Sequence, residues 1–224
     1  MLQRLRGHYF WPEPLNRDSV VVDAGAHRGE FSAAIIQRFG SRCHLIEANP
    51  TLAAQLPVPG AASVLNVALG AHEGRATFHL RENLESSSLA GSSADSVSAV
   101  EVEIISLPTL LRRIDADRID LLKLDIEGAE FELIEATPDE VWRRVSQITV
   151  EFHDFQERFA GRGLFEKARA RLESLGFVCC LMSFRTHGDV LFLNRARLPM
   201  GPVQSFYAGH LARYPAKLKV LANR

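Results

Sequence analysis

LLKLDIEGAE, residues Leu121 to Glu130, changes character within a single short run. Its apolar half is broken only by Lys123, ends at Asp125, and is followed by Glu127, Gly128 and Glu130. The pattern is that of a buried strand that carries carboxylates at its C-terminal tip and then turns into a helix. In open α/β sheets ligands bind along that edge. Successive side chains on a strand face opposite ways, so Lys123 points away from Leu122 and Leu124 and is expected to pair with a carboxylate.

A second motif of the same kind lies upstream. VVVDAGAHRG, Val20 to Gly29, is a β-branched strand that ends at Asp23, followed by a turn framed by Gly25 and Gly29 that opens a helix. Gly25 permits close backbone approach to a ligand, and the start of a helix offers amides without intrahelical partners. Glu47 ends the next strand, 24 residues after Asp23. At about that offset an acidic side chain meets ribose hydroxyls in nucleotide-binding folds. The turn departs from the dinucleotide pattern G-x-G-x-x-G because His27 stands at its middle glycine, the residue that lets a pyrophosphate lie against the backbone. A smaller, cationic nucleoside needs no such cradle.

Working outward, strands alternate with helical segments. Strands are expected at 19–24, 43–47, 63–69, 75–80, 100–105, 119–125 and 146–152, and helices at 30–39, 50–56, 107–114, 131–136 and 165–175. Residues 177–184 and 189–194 look like a closing antiparallel pair. This alternation predicts an α/β fold, doubly wound on a mostly parallel sheet with an antiparallel C-terminal edge. Residues 1–18, rich in aromatics and prolines, are expected to form a short helix or lid, 19–198 the main domain, and 199–224 a basic tail. The serine-rich stretch 86–98 reads as a loop.

Composition narrows the class. The chain has 224 residues, 46% hydrophobic and 24% charged, with a formal net charge of −1. That is the make-up of a soluble domain that buries a full core, and it gives no electrostatic reason to expect nucleic acid as a partner. Three cysteines, two of them adjacent, do not make a disulfide framework. No apolar run approaches the roughly 20 residues of a membrane helix, and Arg4 and Arg6 are not followed by the apolar core of a secretory signal. These features read as a cytoplasmic protein, with a homodimer through the lid or tail left open.

The glycine turn with Glu47 resembles the first motif of the class I S-adenosylmethionine-dependent methyltransferases. KLDIEGAE at Lys123 to Glu130, preceded by SLPTLL at Ser106 to Leu111, is similar to the FkbM family of methyltransferases. NVALG at Asn66 to Gly70, Gly74 with Phe78, and VEFH at Val150 to His153 agree with that resemblance, which spans about residues 19–195. One departure is Leu107–Pro108, where the family often has leucine followed by aspartate. The resemblance implies a Rossmann-like O-methyltransferase acting on hydroxyls of sugars, glycolipids or other natural products. It places Asp23, Gly25 and Gly29 at the cofactor turn, Glu47 on the ribose, and Asn66 to Ala68 near the adenine.

Methyl transfer to an alcohol needs a group that takes the hydroxyl proton, or a metal that makes the proton easier to lose. Asp125, Glu127 and His153 are the candidates, either as bases or together as ligands of a divalent cation. Oxygen ligands suit magnesium, and an added imidazole suits manganese or iron better. Plainer roles compete with these. Glu127 and Glu130 in a first helical turn complement the helix dipole, Asp125 caps the helix, and His153 is a satisfied core histidine. Two other functions remain open on sequence grounds: an NAD-dependent oxidoreductase, and a non-catalytic nucleotide-binding module on the same fold.

Overall fold

A computed structural model describes residues 2–56, 58–80, 98–154, 159, 163–182, 187–199 and 201. The serine-rich stretch up to residue 97, the tail from 202 onward, and residues 183–184 of one expected strand lie outside the described residues.

The central strand, β3 (Val20–Ala24), is buried along its whole length, because helices cover both faces of the sheet and leave no side of it to water. Its residues divide by parity. Val20, Val22 and Ala24 join the larger core with Trp142, Phe131 and Phe152, whereas Val21 joins the opposite core with Phe31, Ile35 and Leu45. Parallel neighbours flank β3: β4 (Arg42–Ile46) on one side, followed by β5 (Ser63–Leu65), and β9 (Leu121–Leu124) on the other, followed by β10 (Gln147–Val150). The chain moves outward from β3 through β4 to β5, then returns to the far side of β3 as β9. The boundary between β3 and β9 is therefore the topological switch point, where ligands bind in doubly wound sheets.

Beyond β10 come β12 (Val190–Asn194) and then β11 (Phe177–Leu181) at the edge. The antiparallel strand is β12, paired to both β10 and β11. It lies one place inside the sheet, so β11 and β12 form the expected antiparallel pair at the C-terminal edge, with β11 outermost. The expected strand 63–69 divides in two. β6 (Ala68–Leu69) leaves the main sheet after Asn66 and pairs with β8 (Ser98–Ile105), which forms a hairpin with β7 (Gly74–Leu80).

The helices end where the sequence provides stops and caps. α1 (Glu30–Phe39) closes on Gly40, whose left-handed backbone lets its amide bond Ile36 O. Asn49 caps α2 (Pro50–Ala54), and Ser106 caps α3 (Leu107–Arg113). Pro108 is tolerated in the first turn of α3, where the missing amide would have had no intrahelical partner. The remaining helices are α4 (Glu130–Ala136), α5 (Asp139–Trp142) and α6 (Leu164–Ser174). None of the described helices is long and apolar enough to cross a membrane.

The N-terminal segment, expected as a short helix or lid, forms a hairpin and not a helix. β1 (Gln3–Leu5) pairs with β2 (His8–Phe10) across Arg6–Gly7, both with positive φ, as a tight two-residue hairpin turn demands. Tertiary contacts hold it in place. Phe10 is fully buried in the core behind α1, and the Gln147 side chain bonds both the amide and the carbonyl of Trp11.

At the switch point the backbone of the β3–α1 turn runs against that of the segment after β9. A Cβ on Gly25, where φ is +77°, would lie 1.8 Å from the carbonyl oxygen of Asp125. Gly25→Ala is therefore expected to cost about 3 kcal/mol or more, from overpacking plus left-handed strain, and to lower the melting temperature by roughly 6–12 °C. An unchanged thermal melt by circular dichroism would show that the two segments do not meet this closely.

Candidate active site

Four of the five amides from Gly25 to Gly29 are already committed within the protein. Gly25 N and Ala26 N donate to Ile46 O, His27 N to Glu47 Oε2 at 2.7 Å, and Gly29 N to Ala26 O. The turn therefore does not present a row of open amides, as the sequence suggested it would. Gly25 makes room for the Asp125 backbone, and Gly29 for Val58, whose methyl a Cβ would meet at 2.4 Å.

Glu47 stands where the sequence placed it, at the end of β4, lining the cavity. Its Oε1 accepts from Asn49 N at 2.8 Å, so each of its oxygens holds one backbone amide. Burial pushes its pKa up, while those two amides pull it back. A carboxylate offers about four lone-pair sites, which leaves acceptor capacity for a ligand's hydroxyls. Asn66 has a different position from the one expected. Exposed, it donates to the carbonyls of Glu47 and Ala48 and so ties the β4–α2 loop to β5. Val67, Ala68 and Leu69 face the cavity in its place.

Asp23 lies beneath the cavity and does not line it. Fully buried, it sits in register with Lys123 on the neighbouring strand, both on the face of the sheet that carries Val21 and Leu121. Lys123 Nζ is 3.1 Å from Asp23 Oδ1 and 3.6 Å from Asp125 Oδ2, and it donates to Gly25 O at 2.7 Å. Ser32 donates to the other oxygen of Asp23. Burial opposes the Lys123 charge, but the carboxylates of Asp23 and Asp125 outweigh it and raise the pKa. The expected pairing of Lys123 is thus realised with two aspartates at once.

The acidic loop follows directly. Glu127 has φ of 56° and Gly128 of 102°, so Glu127 sits in a tight turn ahead of α4 and not in its first turn. Asp125 does not cap the helix; the cap position is Ala129, without a side-chain bond. Glu130, wholly buried, accepts from the amides of Ile126 and Gly128, which shapes the loop. The same Oε1 lies 3.0 Å from His153 Nδ1. His153 Nε2 then stands 3.7 Å from Glu127 and 3.9 Å from Asp125. Burial would lower the His153 pKa, but the bond to Glu130 and the carboxylates of Glu130, Glu127 and Asp125 hold it up at about 9. Glu151, on the segment leading to His153, is pushed up to about 7 by burial and by Asp125.

Of these groups, Asp125 and Glu127 border a cavity of about 460 Å³, within the usual range for small-molecule sites. One wall is apolar, with Ile46, Leu52, Val67, Ala68 and Phe78. Glu47 sits beside that wall, Asp125 and Glu127 form the acidic end, and Arg6 and Arg28 add cations near the turn. A buried His27 nitrogen, Nε2, has no partner within the protein. An aromatic base, a ribose, a sulfonium and an amino-acid group find complementary surfaces here, so the residues fit S-adenosylmethionine. The sequence reading missed His8, which the hairpin delivers to the same cavity; burial and the Lys123 charge push its pKa down to about 3. No local signal marks His8, because its place depends on how the hairpin docks.

Lys123→Met leaves Asp23 buried and uncompensated, a loss of about 3–5 kcal/mol. Adding Asp23→Asn to it is expected to restore most of that stability, since Ser32 still has an acceptor. Urea denaturation of both variants checks this, and a double variant no more stable than the single would remove the pair from its central position.

The FkbM methyltransferase domain profile matches residues 23–179, from the glycine turn through the acidic loop into β11. Methyltransferase 1 of Beauveria bassiana (strain ARSEF 2860) is 34% identical over 79 residues, 35% of this chain and 29% of that protein. Methyltransferase sdnD of Sordaria araneosa is 35% identical over 86 residues, 35% of this chain and 31% of that protein. The chain thus matches less than a third of the length of either relative. Among solved structures, the fibrillarin pre-rRNA processing protein of Methanococcus jannaschii aligns over 86% of this chain and 69% of that one, at 13% identity and a TM-score of 0.45. With the family profile covering the turn, the switch point and the acidic loop alike, the chain belongs to the FkbM methyltransferase family.

Proposed function

We propose that this chain is an S-adenosylmethionine-dependent O-methyltransferase whose acceptor is the hydroxyl of a sugar, glycolipid or other natural product, working in the cytoplasm. The observation that carries the reading is Asp125: a carboxylate on the cavity floor, at the switch point, beside the turn that marks the cofactor end. The family's cofactor, when bound, supplies an electrophilic methyl group on a sulfonium.

The side chains divide the work. The apolar wall with Ala68 takes the adenine, and Glu47 accepts from the ribose hydroxyls with the lone pairs that its two amides leave over. Asp125 and Glu127 favour positive charge at the acidic end and orient the acceptor hydroxyl. Bound S-adenosylmethionine would supply its methyl group to the acceptor oxygen and leave as the neutral thioether, and Asp125 would take the hydroxyl proton. Much of the rate comes from holding oxygen and methyl in line. Asp125 is assigned the proton in preference to His153 because Asp125 lines the cavity, whereas His153 is buried behind it. The committed turn amides also leave a dinucleotide without the backbone cradle its pyrophosphate needs.

Calorimetric titration with S-adenosylhomocysteine, run in parallel with NAD, is expected to give saturable one-to-one binding of the former only. Glu47→Ala should weaken it by roughly tenfold or more, in line with the loss of charge-assisted hydrogen bonds. Asp125→Asn should retain that binding while turnover on hydroxylated acceptors falls about 10²–10⁴-fold. Preference for NAD would sink the cofactor reading, and full turnover by Asp125→Asn would remove Asp125 from the chemistry.

A further inference from the structure

His8 reaches the cavity from a part of the chain that the family profile, which begins at residue 23, does not include. The hairpin sets its place. The turn at Arg6 and Gly7 puts His8 opposite Leu5, and on β2 the side chains of His8 and Phe10 are buried while Tyr9 between them is partly exposed. Phe10 anchors the strand in the core, so His8, two residues earlier on the same face, is driven inward with it. The imidazole packs edge-on against Phe31 of α1, with ring centroids 5.6 Å apart.

Packing does not explain an imidazole there, since an apolar ring would fill the space without the cost of burying polar nitrogens. His8 Nδ1 is sealed from solvent without a partner, so Nε2 is the nitrogen that meets the cavity. Nε2 stands 4.0 Å from Asp125 Oδ2, beyond the roughly 3.2 Å limit of an N–H···O hydrogen bond. Glu151 offers an oxygen within 4.8 Å of a ring nitrogen of His8, and among the described residues no hydrogen bond joins the two. The state of the ring follows. Burial and the Lys123 charge keep it neutral, and a neutral imidazole carries one N–H. A buried N–H without an acceptor is rarer in proteins than a buried acceptor without a donor. The proton therefore sits on Nε2, the nitrogen that the Asp125 carboxylate attracts.

We propose that His8 is a catalytic residue of methyl transfer, its Nε2–H donating to the acceptor oxygen whose proton Asp125 takes. This role rests on the hydroxyl-acceptor reading above. An oxygen about 2.8 Å from both Nε2 and Oδ2 fits the gap between them, with roughly 90° between the two contacts. As the proton moves to Asp125 and charge builds on the oxygen, the bond from His8 strengthens, so it favours the transition state over the bound acceptor. No covalent bond to His8 forms or breaks, and its own proton stays in place.

The test uses the full chain. His8→Phe keeps a ring against Phe31 and removes the donor, whereas His8→Gln offers an amide N–H at similar reach. Acceptors are methyl glycosides, a glycolipid in detergent and a simple phenol, with labelled S-adenosylmethionine as methyl donor. His8→Phe should lower kcat by roughly tenfold or more, with a smaller change in KM, while S-adenosylhomocysteine affinity and the thermal melt match the wild type. His8→Gln should recover part of that loss. Nitrogen-edited NMR of the histidine-labelled wild type, with His8→Gln to assign the signal, should show a neutral ring protonated at Nε2 near neutral pH. Full turnover by His8→Phe while Asp125→Asn loses it overturns the role of His8 alone, as does a ring proton on Nδ1. Lost turnover matched by lost S-adenosylhomocysteine binding or a lower melt also overturns it, because His8 would then serve the cofactor or the fold. Transfer by the wild type to none of these acceptors overturns the hydroxyl reading, and this role with it.

Discussion

Lys123 and Asp23 meet in register across the two strands that bound the switch point, and the rest of the site is arranged around that contact. One ammonium touches the carboxylate of Asp23, the carboxylate of Asp125 and the carbonyl of Gly25, so it joins the ends of β3 and β9 in a single cluster. A buried ion pair of this kind adds little net stability, because desolvation offsets much of the attraction. Its effect is positional: any slip between the strands would strand a charge in the core. The glycine at position 25 completes the arrangement by letting the turn lie directly on the Asp125 backbone.

The amides of the Gly25–Gly29 turn satisfy Ile46, Glu47 and Ala26, and side chains make up much of the cavity lining beside it. Glu47 joins two tasks, holding the turn through His27 and the start of α2 through Asn49, while presenting its remaining lone pairs to the cavity. Asn66 supports it from behind. The acidic end is organised in the same layered way. Glu130 shapes the loop and orients His153, and only Asp125 and Glu127 open onto the cavity. Electrostatic preorganisation of this type, with buried groups aiming exposed ones, is how such sites hold reacting atoms in place.

The sequence made the alternation of strands and helices legible, together with the switch from apolar run to carboxylates at Asp125 and the glycine turn before α1. It did so because those features are local: two-residue and 3.6-residue periodicities, caps at Asn49 and Ser106, and a stop at Gly40. Even the pairing of Lys123 was local, since a charge that faces away from apolar neighbours on a buried strand must find a partner. The hairpin was missed because aromatic and proline-rich segments carry no period, and its only local signal is Arg6–Gly7.

What the sequence by itself determined is the fold class, the order of the elements and the two strand tips on which the acids stand. Tertiary structure decided which of those groups reach the cavity. Asp23 and Asp125 are chemically alike and both lie at or near strand ends. Yet one faces a neighbouring strand in the core and the other faces open space. The position of His8, the posture of His153 behind Glu130 and the insertion of β12 inside the sheet edge were likewise set by packing. Each depends on contacts between residues far apart in the chain, and no local pattern encodes a distance in space.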